Sequence, residues 1–176
     1  LLPGAESWVS LSVLKSEEDI AGDSYVNDKR ETISIGSYPR ATDQRLNLSV
    51  FFQDYLANNP TNRVHLSLHY GTGLPFFSAE DDRWDNYFRM PAYRRVDIGF
   101  TKVFIDRKEG EVATGMMKYV KSMMLTAEVF NLLDIKNTVS YLWVKTVGNQ
   151  EGIPNMLAIP NYLTSRRFNL KLVVKF

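Results

Sequence analysis

The last ten residues alternate without a break. Arg167, Asn169, Lys171, Val173 and Lys175 share one parity; Phe168, Leu170, Leu172, Val174 and Phe176 share the other. Successive side chains of a strand point to opposite faces, so this segment carries one apolar face and one almost wholly polar face. The split recurs upstream. Leu46, Leu48, Val50 and Phe52 oppose Arg45, Asn47, Ser49 and Gln53; Val64, Leu66, Leu68 and Tyr70 oppose Arg63, His65, Ser67 and His69. Val96, Ile98, Phe100 and Phe104 oppose Arg95, Asp97, Gly99 and Thr101. Such runs predict half-buried antiparallel strands.

Two segments are less regular. Val9, Leu11 and Val13 face away from Ser10 and Ser12; Met123, Leu125, Ala127 and Val129 oppose Ser122, Thr126 and Glu128. After Phe130 the sequence NLLD breaks the pattern, and another extended run follows from Thr138 to Val144. Residues 119–145 are read as one long strand kinked near Asn131–Asp134, with two separate strands as the other option.

A soluble sheet with one wet face also alternates. Length argues against it: these runs exceed the about 5–6 residues usual for soluble strands and reach the about 9–11 that a tilted bilayer crossing takes. Apolar residues make up 44% of the chain, in runs far short of the roughly 20 that a spanning helix needs. The fold class expected is therefore all-β, an antiparallel transmembrane β-barrel lying in a bilayer. A net charge of +1 offers no concentrated basic face for nucleic acid. Cysteine is absent, which excludes disulfides, thiolate nucleophiles and thiolate metal sites.

Connections alternate in length. Residues 16–43, 75–91 and 146–163 read as long polar loops, 57–62 (ANNPTN) as a short turn and 107–118 as intermediate. Outer-membrane barrels place long loops outside the cell and short turns in the periplasm. Trp8, Tyr55, Tyr70, Tyr93, Tyr119, Tyr141 and Trp143 are expected near the bilayer surfaces. About six strands result, fewer than the about eight at which single-chain barrels begin. The amino terminus LLPGAESW carries no secretion signal, so further strands are expected to close the cylinder, from the same polypeptide or another chain, homo-oligomeric closure being one form.

At this point the ordered segments carry a resemblance. PRATDQRLNLSV (Pro39 to Val50), HYGTGLPF (His69 to Phe76), YRRVDIGFTKVF (Tyr93 to Phe104), LTAEVFNLLDIKNTVSY (Leu125 to Tyr141) and the ending PNYLTSRRFNLKLVVKF together resemble the carboxyl end of the TonB-dependent receptors, most like those of the Bacteroidetes. VFNLLD (Val129 to Asp134) resembles the family's VNNLFD pattern, with Phe130 replacing the first Asn. The resemblance implies that residues 1–176 form about the last six strands of a 22-stranded barrel, the plug domain and TonB box having no counterpart here. It implies uptake of a scarce nutrient: siderophore, haem, cobalamin, glycan or peptide. The implied partners are the rest of the barrel and its plug, the TonB complex acting through the plug, the lipid bilayer and a surface lipoprotein. Phe168, Leu170, Leu172, Val174 and Phe176 match the terminal pattern read by the outer-membrane assembly machinery, a strand-addition mode of recognition.

Arg167, Asn169, Lys171, His65 and His69 are expected to face the lumen. His65 and His69 stand about 13 Å apart on a strand, too far to chelate one ion. GTG at Gly71–Gly73 lacks the Lys and helix of a phosphate loop and marks the rim of a strand. Glu80, Asp81, Asp82 and Asp85 form either a solvated loop face, the favoured reading, or an oxygen-rich Ca²⁺ site. In the same loop Trp84, Asp85, Tyr87 and Arg89 are candidate ligand contacts, against the alternative that the loop's aromatics pack on neighbouring loops. No cofactor or catalytic residue is expected: an outer-membrane lipase would need a Ser such as Ser49 or Ser67 with His65 or His69, and no third orienting group is evident. A passive porin or other non-TonB barrel is the alternative function.

Overall fold

Backbone N–H and C=O groups must find partners, and extended segments find them edge to edge. The computed structural model describes residues 5–56, 59–77, 82–85, 87–107, 118–146 and 155–176. It is all-β, with no helix among the described residues. In chain order the strands are β1 (Glu6–Val13), β2 (Glu17–Glu18), β3 (Ser24–Val26), β4 (Thr32–Ser34), β5 (Tyr38–Pro39), β6 (Leu46–Leu56), β7 (Asn59–Gly71), β8 (Pro75–Phe77), β9 (Tyr87–Arg89), β10 (Tyr93–Asp106), β11 (Ser122–Phe130), β12 (Thr138–Thr146), β13 (Asn155–Tyr162) and β14 (Arg167–Lys175).

Six of them form one antiparallel sheet, ordered β1-β6-β7-β10-β11-β14, so each strand lies beside its neighbours in the chain once the small hairpins are set aside. This sheet is the wall. Its register keeps like with like. Phe100 lies opposite Ala127, which lies opposite Leu170; Ile98, Val129 and Phe168 form the next apolar row. On the other face His65, Gly99, Glu128 and Asn169 fall in one row, and Thr101, Thr126 and Lys171 in another. A slip of one residue would exchange the two faces on that strand, so the alternation itself fixes the pairing.

Burial is inverted relative to a water-soluble domain. Among the described residues the sole buried hydrophobic side chain is Tyr38, at 7% exposure, whereas Asp43, Asp97, Thr101, Asn131 and Asn137 are all buried. The apolar face is open: Val13 is 76% exposed and Phe168 80%, with Leu11, Phe104, Leu170, Leu172 and Phe176 also exposed. Soluble domains bury such residues around a core.

Four two-stranded sheets stand apart from the wall and make its roof: β2 with β5, β3 with β4, β8 with β9, and β12 with β13. They revise the expected loops. The long segments 16–43 and 75–91 carry short strand pairs, and β13 lies where 146–163 reads as loop. Pro160 interrupts the strand signal there, yet it pairs with Tyr141, and a two-stranded sheet leaves each strand an outer edge where proline is tolerated. Residues 119–145 are two strands, not one. β11 bonds to β10 and β14, β12 to β13, and seven residues separate them. Asn131 (φ 52°) and Asp134 (φ 54°) turn the chain in the left-handed region, which Asn and Asp tolerate better than bulky residues. The expected turn at 57–62 is also shorter, since β7 begins at Asn59 and pairs at once with Leu56.

Candidate functional site

The polar face of the wall, with the roof at its rim, is where hydrogen-bonding side chains converge. Four strands build its central row. The His65 Nε2 lies 3.3 Å from a Glu128 oxygen, reaching across the intervening β10. It can do so because position 99 is glycine: a Cβ there would fall 2.1 Å from the His65 ring. The other Glu128 oxygen accepts a 2.7 Å hydrogen bond from the Asn169 amide. Above and below this row, Ser49 Oγ and His69 Nδ1 lie 3.2 Å apart, and the Thr101 and Thr126 hydroxyls 2.9 Å. Arg63 donates to the Tyr55 hydroxyl at 2.9 Å while its guanidinium sits over that ring.

The same face carries aromatics that the alternation does not announce. Trp8 stacks on Phe51 (centroids 5.8 Å) and Phe51 on His65 (6.5 Å). Tyr55 and Tyr93 also share parity with the polar residues of their strands. Tyr141 and Trp143 belong to the roof, where both contact Phe76. Of the other residues expected at bilayer surfaces, Tyr70 shares parity with the apolar residues of a wall strand, and Tyr119 lies exposed shortly before β11.

At the rim the polar face opens into two adjoining clefts that share Tyr93 and Arg95. One, of about 260 Å³, is lined also by Gln44, Asn47, Ser49 and His69. The other, of about 180 Å³, is lined also by Phe130, Asn131, Asn137 and Arg167. Arg95 donates to Asp97 at 2.7 Å, and the same Asp97 oxygen accepts the Asn131 N–H at 2.8 Å. The Asn137 side chain accepts from the Arg94 N–H and donates to the Arg94 carbonyl, both at 2.9 Å. Asn131 and Asn137 thus bracket the turn between β11 and β12 and fix the floor of the smaller cleft.

The expected polar-face residues are distributed as follows. His65 and Asn169 both engage Glu128, His69 and Arg167 line different clefts, and Lys171 pairs in register with Thr126. The two histidines face different partners, and no group of three or more potential metal-binding side chains occurs among the described residues.

Among the described residues the loop candidates take separate partners. Trp84 stacks on Tyr25 at 4.5 Å, joining two loops. Asp85 is exposed and its N–H donates to the Asp82 carbonyl; Tyr87 is exposed and pairs with Phe77. Glu80 and Asp81 lie outside the described residues. Arg89 donates to the Asp43 carboxylate and carbonyl and to the Gly73 carbonyl. Asp43, fully buried, also accepts from Arg45 and from the Ser16 N–H, each at 2.7 Å. Burial alone would raise its carboxyl; the Ser16 N–H and the Arg89 and Arg45 guanidiniums outweigh that and hold it below the ordinary value. Asp43 is the residue the sequence reading missed. Its signal, an acid two residues before an arginine at a strand start, is commonplace.

Comparison of the chain with protein-family models, with curated proteins and with solved structures finds no significant match.

Proposed function

We propose that this chain is wall and roof of an outer-membrane β-barrel transporter of the TonB-dependent receptor kind, which takes up a scarce nutrient such as a siderophore, haem, cobalamin, a glycan or a peptide. The observation that carries the reading is the inverted burial: an apolar face left open across six strands, and polar side chains held against one another on the other. Hydrocarbon is the solvent that such an open face suits, and water suits the opposite one. The outer strands β1 and β14 each have one unpaired edge in this sheet. A bilayer tolerates no such edge, so further strands complete the cylinder. The roof lies on the extracellular side, and the two clefts at its base contact the passing ligand through Arg95, His69 and Arg167. The Arg167 guanidinium has no ion-pair or hydrogen-bond partner among the described residues, so it remains available to an anionic group of a ligand.

Two measurements test the reading in sequence. Cysteines placed singly at Phe168, Leu170 and Leu172 should react with a lipid-soluble probe, and those at Arg167 and Lys171 with a water-soluble one. The opposite pattern would return the chain to a soluble sheet. Uptake of the ligand by intact cells should then stop when TonB is removed; uptake that continues unchanged identifies a passive porin.

A further inference from the structure

The apolar face is not uniform. At its centre lies a groove of about 570 Å³, lined chiefly by Val64, Ile98, Phe100, Ala127, Phe168 and Leu170, with Glu128 and Asn169 adding a little polar surface. The register explains it. Ala127 stands between Phe100 and Leu170, so a short side chain is flanked by long ones on both neighbouring strands. The Phe168 ring beside it is among the most exposed apolar groups of the wall.

At the roof end of the same strands the charge changes. Arg94 shares parity with Ile98 and Phe100 and stands about 13 Å above Ile98 along β10. Arg166 immediately precedes β14, about 7 Å from Phe168. Lys136 projects over the Tyr162 ring at 5.9 Å. All three are exposed. They are tied together through the β11–β12 turn: Arg94 is held by Asn137, next to Lys136, and the Arg166 N–H donates to Asp134 at 2.8 Å. Asp134 is the one acid in that turn, so three cations outnumber it.

The geometry points to a lipid-binding site on the outward face: the groove takes an acyl chain, and Arg94, Lys136 and Arg166 take the phosphate of an anionic headgroup. This rests on the membrane reading proposed above. The two parts act together. An acyl chain lying along β10, β11 and β14 towards the roof would leave its headgroup at the level of these cations, and phosphate is the group that guanidinium and ammonium bind best there. A zwitterionic lipid fits the groove equally well but gains less at the rim.

The test is competition between two lipids with identical acyl chains, phosphatidylglycerol and phosphatidylcholine, offered in equal amounts to the protein in detergent and read by native mass spectrometry. Wild type should retain the anionic lipid roughly fivefold or more over the zwitterionic one, the effect of about one surface cation. The triple variant Arg94→Gln, Lys136→Gln, Arg166→Gln should bring the ratio to about one while binding a similar total. Ala127→Leu, which fills the groove, should lower retention of both lipids and leave the ratio unchanged. Equal retention by wild type, a preference that survives the triple variant, or an Ala127→Leu protein that binds as wild type does would each overturn the site. Cysteine labelling run on the same preparation separates the failures: lipid-probe labelling at Leu172 with no headgroup preference removes only this site, whereas no labelling there removes the membrane reading beneath it.

Discussion

The wall and the roof solve the problem of ordering a chain in opposite ways. The wall is regular. Its six strands pair through backbone, its apolar side chains stand in rows on an open face, and its polar side chains link in rows on the other. The roof is made of short strand pairs, and side chains hold it: Trp84 on Tyr25, Phe76 on Tyr141, Arg83 paired with Glu18 at 2.8 Å, and three donors on Asp43. The wall can therefore lose a single side-chain contact and keep its register, while the roof depends on a few contacts between distant segments. If its open face meets lipid, as proposed above, the wall should in turn be intolerant of a change of polarity there, a change the roof would scarcely register.

Substitutions can break that contrast, and the largest effect belongs to polarity. On the membrane reading, Leu170→Arg on the apolar face should cost about 2–4 kcal/mol of stability in a bilayer, measured on the closed barrel by refolding titration into vesicles. Lys171→Arg, one residue along, should cost almost nothing, and equal costs would erase the distinction between the faces. Next comes the roof. Asp43→Ala removes the acid that Arg45 and Arg89 share, leaving Arg45 with Glu17 at 3.7 Å; about 2–3 kcal/mol is expected, less than the about 3–5 typical of a fully buried pair because both arginines keep access to water. Hydrogen exchange should quicken at Ser16 and Arg40–Arg45 with β7 and β10 unchanged. Acid should reproduce this. The Asp43 carboxyl is depressed in the folded chain, so its contribution is complete above the ordinary carboxylate value of about 3.9 and disappears as pH falls through the lower folded value. A roof whose response to acid is the same in the wild type and in Asp43→Ala would show that Asp43 does not organise it.

Gly99→Ala ranks third. The added methyl displaces the His65 ring, at about 1–2 kcal/mol, and combining it with His65→Ala should return most of that loss; an additive double variant would mean that the two do not touch. Smallest is Trp84→Ala, which removes one aromatic stack worth about 0.5–1.5 kcal/mol beyond its area. It should loosen β3 and β4 in hydrogen exchange and leave the wall untouched.

The wall was legible because its information is local. Residues two apart, such as Phe168 and Leu170, already declare a shared face, and the order of strands follows from their order in the chain. What alternation could not reveal are residues whose partners lie far along the sequence. Nothing in the loop around Arg89 announces that it holds Asp43, 46 residues away. Trp8 and Phe51 fit a strand by type but sit on the polar face, where their stack with His65 depends on three strands meeting. The turn after Phe130 was legible as an interruption, through NLLD; its extent was not, because Asn137 acts through the backbone of Arg94, 43 residues earlier. Of the residues lining the clefts, His69 and Arg167 stand out as polar members of alternating strands, while nothing local marks Tyr93 and Arg95, which the two clefts share.

Gly99 has a mechanical side. A sheet carries tension from each strand to the next through its ladder, and a load on β7 reaches β11 only after passing through β10. By vacating the space over β10, the glycine lets His65 grip Glu128 directly, a cross-brace that spans two strand spacings and is anchored further by Asn169. A sheet stiffened this way resists flexing at that height while remaining compliant towards the rim, where the His69–Ser49 contact joins adjacent strands only.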